Sequence, residues 1–253
     1  MYESAATVIE NNHLIDNYYL MKLTDATIAR ESKPGNFVML APTSSHDPLL
    51  KRPFGIMDAA PPNFWIYYQV VGRGTQNISS LKKGDQLPVI GPLGNHFPAK
   101  TKSNILLIAG GRGIAPLFFA AKKYAENNNV DLVYGAKSKK DLNLMDELAA
   151  LPIRKIFLFT EDESAGERGD VTTRLREIIS QQGTQVTIAC GPDAMFKSIF
   201  QTIGKETENF VSLESLMGCG FGICHSCVVR SVSGDYKKVC SDGPVFKLED
   251  IAW

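Results

Sequence analysis

After residue 103 the chain alternates continuous apolar runs with helix-forming stretches, and that alternation admits few folds. Runs at 105–109, 131–134, 155–159 and 185–189 are each followed by a turn and a helical stretch, at 114–124, 142–148, 172–180 and 193–203. Strands that are apolar on both faces need cover on both, so this half predicts an α/β parallel sheet with helices on its two sides. A further short parallel strand is expected at 210–213. Pro116 falls where an opening helix tolerates proline, and Asp141 and Thr172 are the expected N-caps.

The first hundred residues read differently. Short strands at 7–10, 18–23, 36–40, 64–71 and 87–90 are separated by Pro34-Gly35, Pro61-Pro62-Asn63 and Lys83-Gly84-Asp85. Closely spaced strands punctuated by turn residues predict a small antiparallel β-barrel. Residues 98–103 form a polar link between the two halves, and no internal repeat is present.

Charge excludes one class of partner. Lys plus Arg equals Asp plus Glu at 27 each, so no net positive field gathers nucleic acid or an anionic membrane surface. No apolar run approaches the roughly 20 residues that span a bilayer. The opening Met1-Tyr2-Glu3-Ser4 carries no secretory signal, so the expected compartment is the cytoplasm, where cysteines serve as thiols or ligands.

Four of the five cysteines crowd into the tail. Cys219, Cys224, Cys227 and Cys240 are separated by four, two and twelve residues. Structural zinc usually takes two compact pairs, and only Cys224 with Cys227 makes one. The C-x4-C-x2-C spacing with a distant fourth cysteine is that of a plant-type 2Fe-2S cluster. Gly218, Gly220 and Gly222 alternate with the ligands where a backbone must turn tightly and aim amides at sulfur. His225 reads as a solvated loop residue, because four thiols complete the ligand count. A hairpin of 228–232 and 236–239 about Gly234-Asp235 is expected after the loop.

Several segments have the makings of phosphate sites. Gly110, Gly111 and Gly113 lie in the turn from the first parallel strand to its helix, where amides and the helix N-terminus can receive a diphosphate. Cys190-Gly191-Pro192 repeats that arrangement after a later strand, and Cys190 either faces a nicotinamide or is a buried residue before a turn. In the barrel half, Pro53 holds Arg52 extended, and an arginine there can fork onto phosphate. The strand through Tyr68, Gln69 and Val70 runs into Gly72-Arg73-Gly74-Thr75, whose amides and Thr75 hydroxyl are candidates for another phosphate. Lys137, Lys139 and Lys140 are either a 2'-phosphate site or a solvated basic turn.

Taken in order, Arg52-Pro53-Phe54-Gly55, Gly72-Arg73-Gly74-Thr75, Gly91-Pro92-Leu93-Gly94, Gly110-Gly111-Arg112-Gly113-Ile114-Ala115-Pro116 and Cys190-Gly191-Pro192 resemble the flavin and pyridine-nucleotide motifs of the ferredoxin-NADP reductase superfamily. The segment from Met217 to Cys227, with Val239 to Phe246, is similar to the family of electron-transfer subunits of type B dihydroorotate dehydrogenases. The resemblance covers nearly the whole chain. It implies an FAD-binding barrel over 1–99, an NAD-binding α/β domain over 100–213 and a 2Fe-2S segment over 214–253. It further implies NAD(H) rather than NADP(H), and a separate catalytic subunit carrying FMN and acting on dihydroorotate in pyrimidine biosynthesis, in a heterotetramer of two copies of each. Two departures stand out: Gly55 replaces the serine of the family's Arg-Pro-x-Ser, and His96 follows the Gly-Pro-Leu-Gly segment where relatives often carry a smaller residue.

NADH gives up two electrons as hydride, whereas a 2Fe-2S centre takes one at a time, so a flavin between them is required. No Ser-His-Asp set or carboxylate pair is legible, and electrons must leave to a partner. A flavin and iron-sulfur subunit of an NADH-dependent ferredoxin or sulfide oxidoreductase shares these features. A zinc-stabilised nucleotide-binding sensor is the reading from another class.

Overall fold

The computed structural model describes residues 1–42 and 47–253. Six strands, β1 (Tyr2–His13), β2 (Tyr18–Thr24), β3 (Phe37–Leu40), β4 (Arg52–Ala60), β5 (Asn63–Gln69) and β6 (Gln86–Leu93), close an antiparallel barrel in the order β1-β2-β5-β4-β3-β6. Alternation sends Ala6 and Val8, Met21 and Leu23, and Phe64 and Ile66 inward, where helix α1 (Ala26–Glu31) adds Ile28 to the same core. Asp25 caps that helix, accepting from the amides of Thr27 and Ile28 and from the Ser4 hydroxyl. The segment expected only to be extended at Arg52 is a nine-residue strand, so Arg52 and Gly55 stand on the barrel wall.

The second half forms a seven-stranded sheet in the order β10-β9-β8-β7-β11-β12-β15. Its strands are β7 (Asn104–Gly110), β8 (Asn129–Ala136), β9 (Lys155–Thr160), β10 (Glu167–Arg168), β11 (Val186–Cys190), β12 (Glu208–Ser212) and β15 (Val245–Lys247). All pair in parallel except β15, which returns from the tail to run antiparallel along β12. The cysteine segment is thereby anchored in the sheet. It carries the expected hairpin as β13 (Val228–Arg230) and β14 (Tyr236–Lys238).

Helix α2 (Arg73–Ser79) belongs to the barrel, whereas α3 (Ile114–Tyr124), α4 (Met145–Ala149), α5 (Leu175–Gln182) and α6 (Asp193–Ile203) follow sheet strands. Helix α3 begins where Pro116 predicts, but the other caps differ. The N-cap of α4 is Leu144 in a left-handed conformation, and that of α5 is Arg174. Asp141 lies instead in a 3-10 turn, and the Tyr134 hydroxyl, donating to its carbonyl and accepting from the Asn143 amide, holds 141–143 out of the helix. Thr172 donates to Asp170, which captures both its amide and its hydroxyl.

Helix α3 joins the halves. Its Ile114, Leu117 and Phe118 pack with Met57 and Tyr67 of the barrel, Phe119 enters the barrel core, and Lys122 pairs with Asp58 at 2.6 Å. The barrel and the sheet are thus held as neighbours along one buried face, which sets the cavities between them.

Candidate flavin, dinucleotide and iron-sulfur site

In the sheet, the chain leaves β7 toward β8 on one side and returns through β11 on the other. This is the topological switch point, where ligands of open α/β sheets bind at the carboxyl ends of the strands. A cleft of about 850 Å3 lies there, walled by Gly110, Gly111 and Gly113 from one turn and by Gly191, Asp193 and Met195 from the other. The two turns touch: a Cβ on Gly113 would fall 1.9 Å from the Cys190 carbonyl oxygen, which explains a glycine at that point. The opening of α3 and the glycine backbone fit a diphosphate. Lys137 is in the wall, whereas Lys139 and Lys140 are not, and the remaining charged wall residues besides Arg112 are Asp141, Glu161, Asp170, Asp193 and Glu214. Five carboxylates against two cations make a poor receptor for an added 2'-phosphate.

A second cavity of about 480 Å3 lies between the barrel and the sheet. Arg52, Pro53, Phe54, Gly55, Tyr68, Gln69, Thr75 and Cys190 all line it, which brings together barrel and sheet residues far apart in sequence. Val70 and Gly74 are not in the wall. Gly74 lies under Arg52, since a Cβ there would be 2.5 Å from Nε. The Thr75 hydroxyl is engaged inside its own turn, accepting from the amides of Val71 and Gly72 at 2.9 and 3.2 Å and donating to the Gly72 carbonyl. The turn holds its own cap instead of offering that hydroxyl outward. Gly55 has room, because a Cβ would sit 3.8 Å from Pro116. An apolar slot of Pro53, Phe54 and Tyr68 with a guanidinium at one side fits a flat ring bearing phosphate. Burial raises the Cys190 thiol well above its ordinary pKa, and Cys190 shares a hydrogen bond with Ser212, so it faces the cavity as a neutral thiol. His96 turns its Nδ1 to the Phe97 carbonyl at 2.9 Å and His225 is exposed.

The two cavities share Gln69, Arg112 and Glu214, and the smaller is walled further by Leu216 and Met217, two residues before Cys219. All four tail thiols receive backbone amides. Ile223 and Cys224 donate to the Cys219 sulfur at 3.3 and 3.4 Å, Cys219 to Cys224, Gly222 to Cys240 at 3.2 Å, and Cys240 to Cys227. Amides aimed at sulfur stabilise thiolate ligands, and this set fits a cluster. Amides of Ser226 and Cys219 lower the Cys224 pKa to about 6. Burial raises Cys219 but is outweighed by the amides of Cys224, Phe221 and Ile223, whereas burial and the Cys227 neighbour push Cys240 up to about 12. The contacts join Cys219 with Cys224 and Cys227 with Cys240, as two pairs for two metal atoms would require. Among the described residues no three His, Cys, Asp or Glu side chains converge as a single-ion site needs. Gly220, at φ +84°, seats the loop on the barrel, since a Cβ would lie 2.5 Å from Met39 Cγ.

Arg112 and Glu214 were not among the candidates read from sequence. Arg112 stands between the glycines that drew the reading to that turn, and Glu214 lies in a stretch with no motif.

Comparison with known proteins agrees with this geometry. Residues 214–252 match the iron-sulfur cluster binding domain of dihydroorotate dehydrogenase B, and residues 107–201 match the oxidoreductase NAD-binding domain. The chain is 36% identical to the dihydroorotate dehydrogenase B (NAD(+)) electron transfer subunit of Bacillus velezensis, with all of both chains covered. It is 35% identical to the corresponding homolog of Aquifex aeolicus, over 98% of each. Among solved structures, an NADH-dependent reduced ferredoxin-NADP oxidoreductase superposes with a TM-score of 0.85 at 29% identity, covering 98% of this chain and 90% of that one. A ferredoxin NADP+ reductase from Neisseria gonorrhoeae, with a TM-score of 0.65 at 16% identity over 79% of this chain and 90% of that one, shares the fold. These matches set aside the zinc sensor, and the chain belongs to the family of electron-transfer subunits of dihydroorotate dehydrogenase B (NAD(+)).

Proposed function

We propose that this chain carries electrons between NAD(H), FAD in the cavity beneath the barrel and a 2Fe-2S cluster on Cys219, Cys224, Cys227 and Cys240, and exchanges them with an FMN-containing dihydroorotate dehydrogenase subunit. One observation carries this reading: the dinucleotide cleft and the barrel cavity share Gln69, Arg112 and Glu214, and the barrel cavity ends at Met217 beside the cysteine loop. FAD, when bound, would accept the two electrons of one hydride and pass them on singly, which suits a cluster that carries one electron at a time. The chain's residues bind and orient. Gly110, Gly111, Gly113 and Gly191 receive the dinucleotide, Arg52 holds a flavin phosphate, Pro53, Phe54 and Tyr68 flank the ring, and Cys190 closes the cavity with an uncharged thiol.

Its partner sits over the exposed apolar residues of the cluster loop, Leu216, Phe221 and Ile223. Two copies of each subunit assemble, and the complex works in the cytoplasm in pyrimidine biosynthesis. No helix among the described residues is long and apolar enough to cross a membrane. The test is anaerobic co-purification with the FMN-bearing subunit: the complex should reduce orotate with NADH, and this chain alone should reduce only artificial acceptors. The structural likeness to the NADH-dependent oxidoreductase favours a second reading, in which the acceptor is a ferredoxin. Ferredoxin reduction by the isolated chain, without complex formation, would establish that one instead.

A further inference from the structure

Arg112 is the cation common to the walls of both cavities, at the start of the turn that leads into α3. Its nearest acid is Glu214 across the cleft, with Nη2 and Oε2 3.9 Å apart. That is an ion pair without a hydrogen bond. Two other arginines of this chain are held by hydrogen bonds: Arg174 donates to Glu177 at 2.7 Å, and Arg154 to Asp131 at 3.0 Å through Nε. Among the described residues the Arg112 guanidinium donates no hydrogen bond, so its forked donors face the cleft uncommitted. The cleft itself is acidic, with Lys137 as its other cation at the far end of β8. A diphosphate entering there meets repulsion unless a guanidinium leaves its carboxylate for it.

Resting on the dinucleotide reading above, we propose that Arg112 is an anion contact that exchanges partners: Glu214 holds it across the cleft at rest, and it turns to the diphosphate when the dinucleotide binds. The exchange makes Glu214 a competitor of the ligand. Removing the two residues should therefore act in opposite directions, which a purely structural ion pair would not do.

The experiment measures NAD+ binding to the oxidised, flavin-loaded protein by calorimetry, since NAD+ does not turn over there. Arg112→Ala should weaken binding about tenfold or more, and Arg112→Lys should recover part of the loss, because a charge-assisted contact is replaced by a point charge. Glu214→Gln should tighten binding roughly two- to fivefold, the size of a released exposed ion pair. In Arg112→Ala, the added Glu214→Gln should give no gain. A gain as large as in the wild-type background would show direct repulsion by Glu214 and overturn the exchange. Unchanged affinity in Arg112→Ala, with flavin content and melting temperature also unchanged, would overturn the contact. If the unaltered protein takes up no NAD+, the dinucleotide reading falls and this inference with it.

Discussion

Arg52 shows how far a single residue can be read in advance. Pro53 forces an extended backbone at 52, and the structure places that backbone on a barrel strand with the side chain over Gly74 and in the cavity wall. Charge-assisted hydrogen bonds contribute roughly 1.5 to 3 kcal/mol, so Arg52→Ala should weaken FAD retention about tenfold or more. Flavin fluorescence during dilution measures it, and unchanged release would remove Arg52 from the site. Gly55→Ser should be accepted without loss of FAD or of melting temperature, because the added Cβ meets only Pro116 at van der Waals distance. What sequence could not show at this level is mutual position. Cys190 and Arg52 share a cavity wall although they stand 138 positions apart in the chain, and no local spacing encodes that meeting.

At the level of elements, periodicity located most strands, because burial on one face or two imposes it directly. The helix beginnings were less legible. Asp141 and Thr172 have capping side chains, yet a tyrosine hydroxyl and Asp170 compete for the same groups, and the helices begin three or four residues later. The edge strand β15 was invisible for another reason. It is three residues long and pairs only through the sheet that it joins. One element-level tie is open to measurement. Asp131 on β8 is buried at 1% exposure and takes both Nε and Nη2 of Arg154, which precedes β9. Arg154→Ala leaves that carboxylate buried without its cation, and unfolding in urea should show a loss of about 3 kcal/mol, the low end for broken buried pairs because Arg154 itself is partly exposed. A loss below about 1 kcal/mol would mean that water reaches Asp131 and replaces the pair.

For the whole molecule, the barrel, the sheet and the cysteine loop meet along one continuous path from the switch point of the sheet to an exposed apolar face. Phe221 is 42% exposed and Ile223 74%, and both serve the Cys219 sulfur through backbone amides, which leaves their side chains outside the ligand shell. Phe221→Ser should therefore reduce association with the catalytic partner subunit while the cluster's spectrum and potential stay nearly unchanged. A bleached cluster with intact association would mean that these side chains shield the metal and that docking occurs elsewhere. All of this depends on what the four cysteines hold. Iron, acid-labile sulfide and flavin in freshly prepared anaerobic protein are the direct measurement: about two irons and two sulfides per chain, with FAD, are expected, and Cys190→Ala should leave the iron and sulfide unaltered. Stoichiometric zinc with neither iron nor sulfide would contradict the reading at its root.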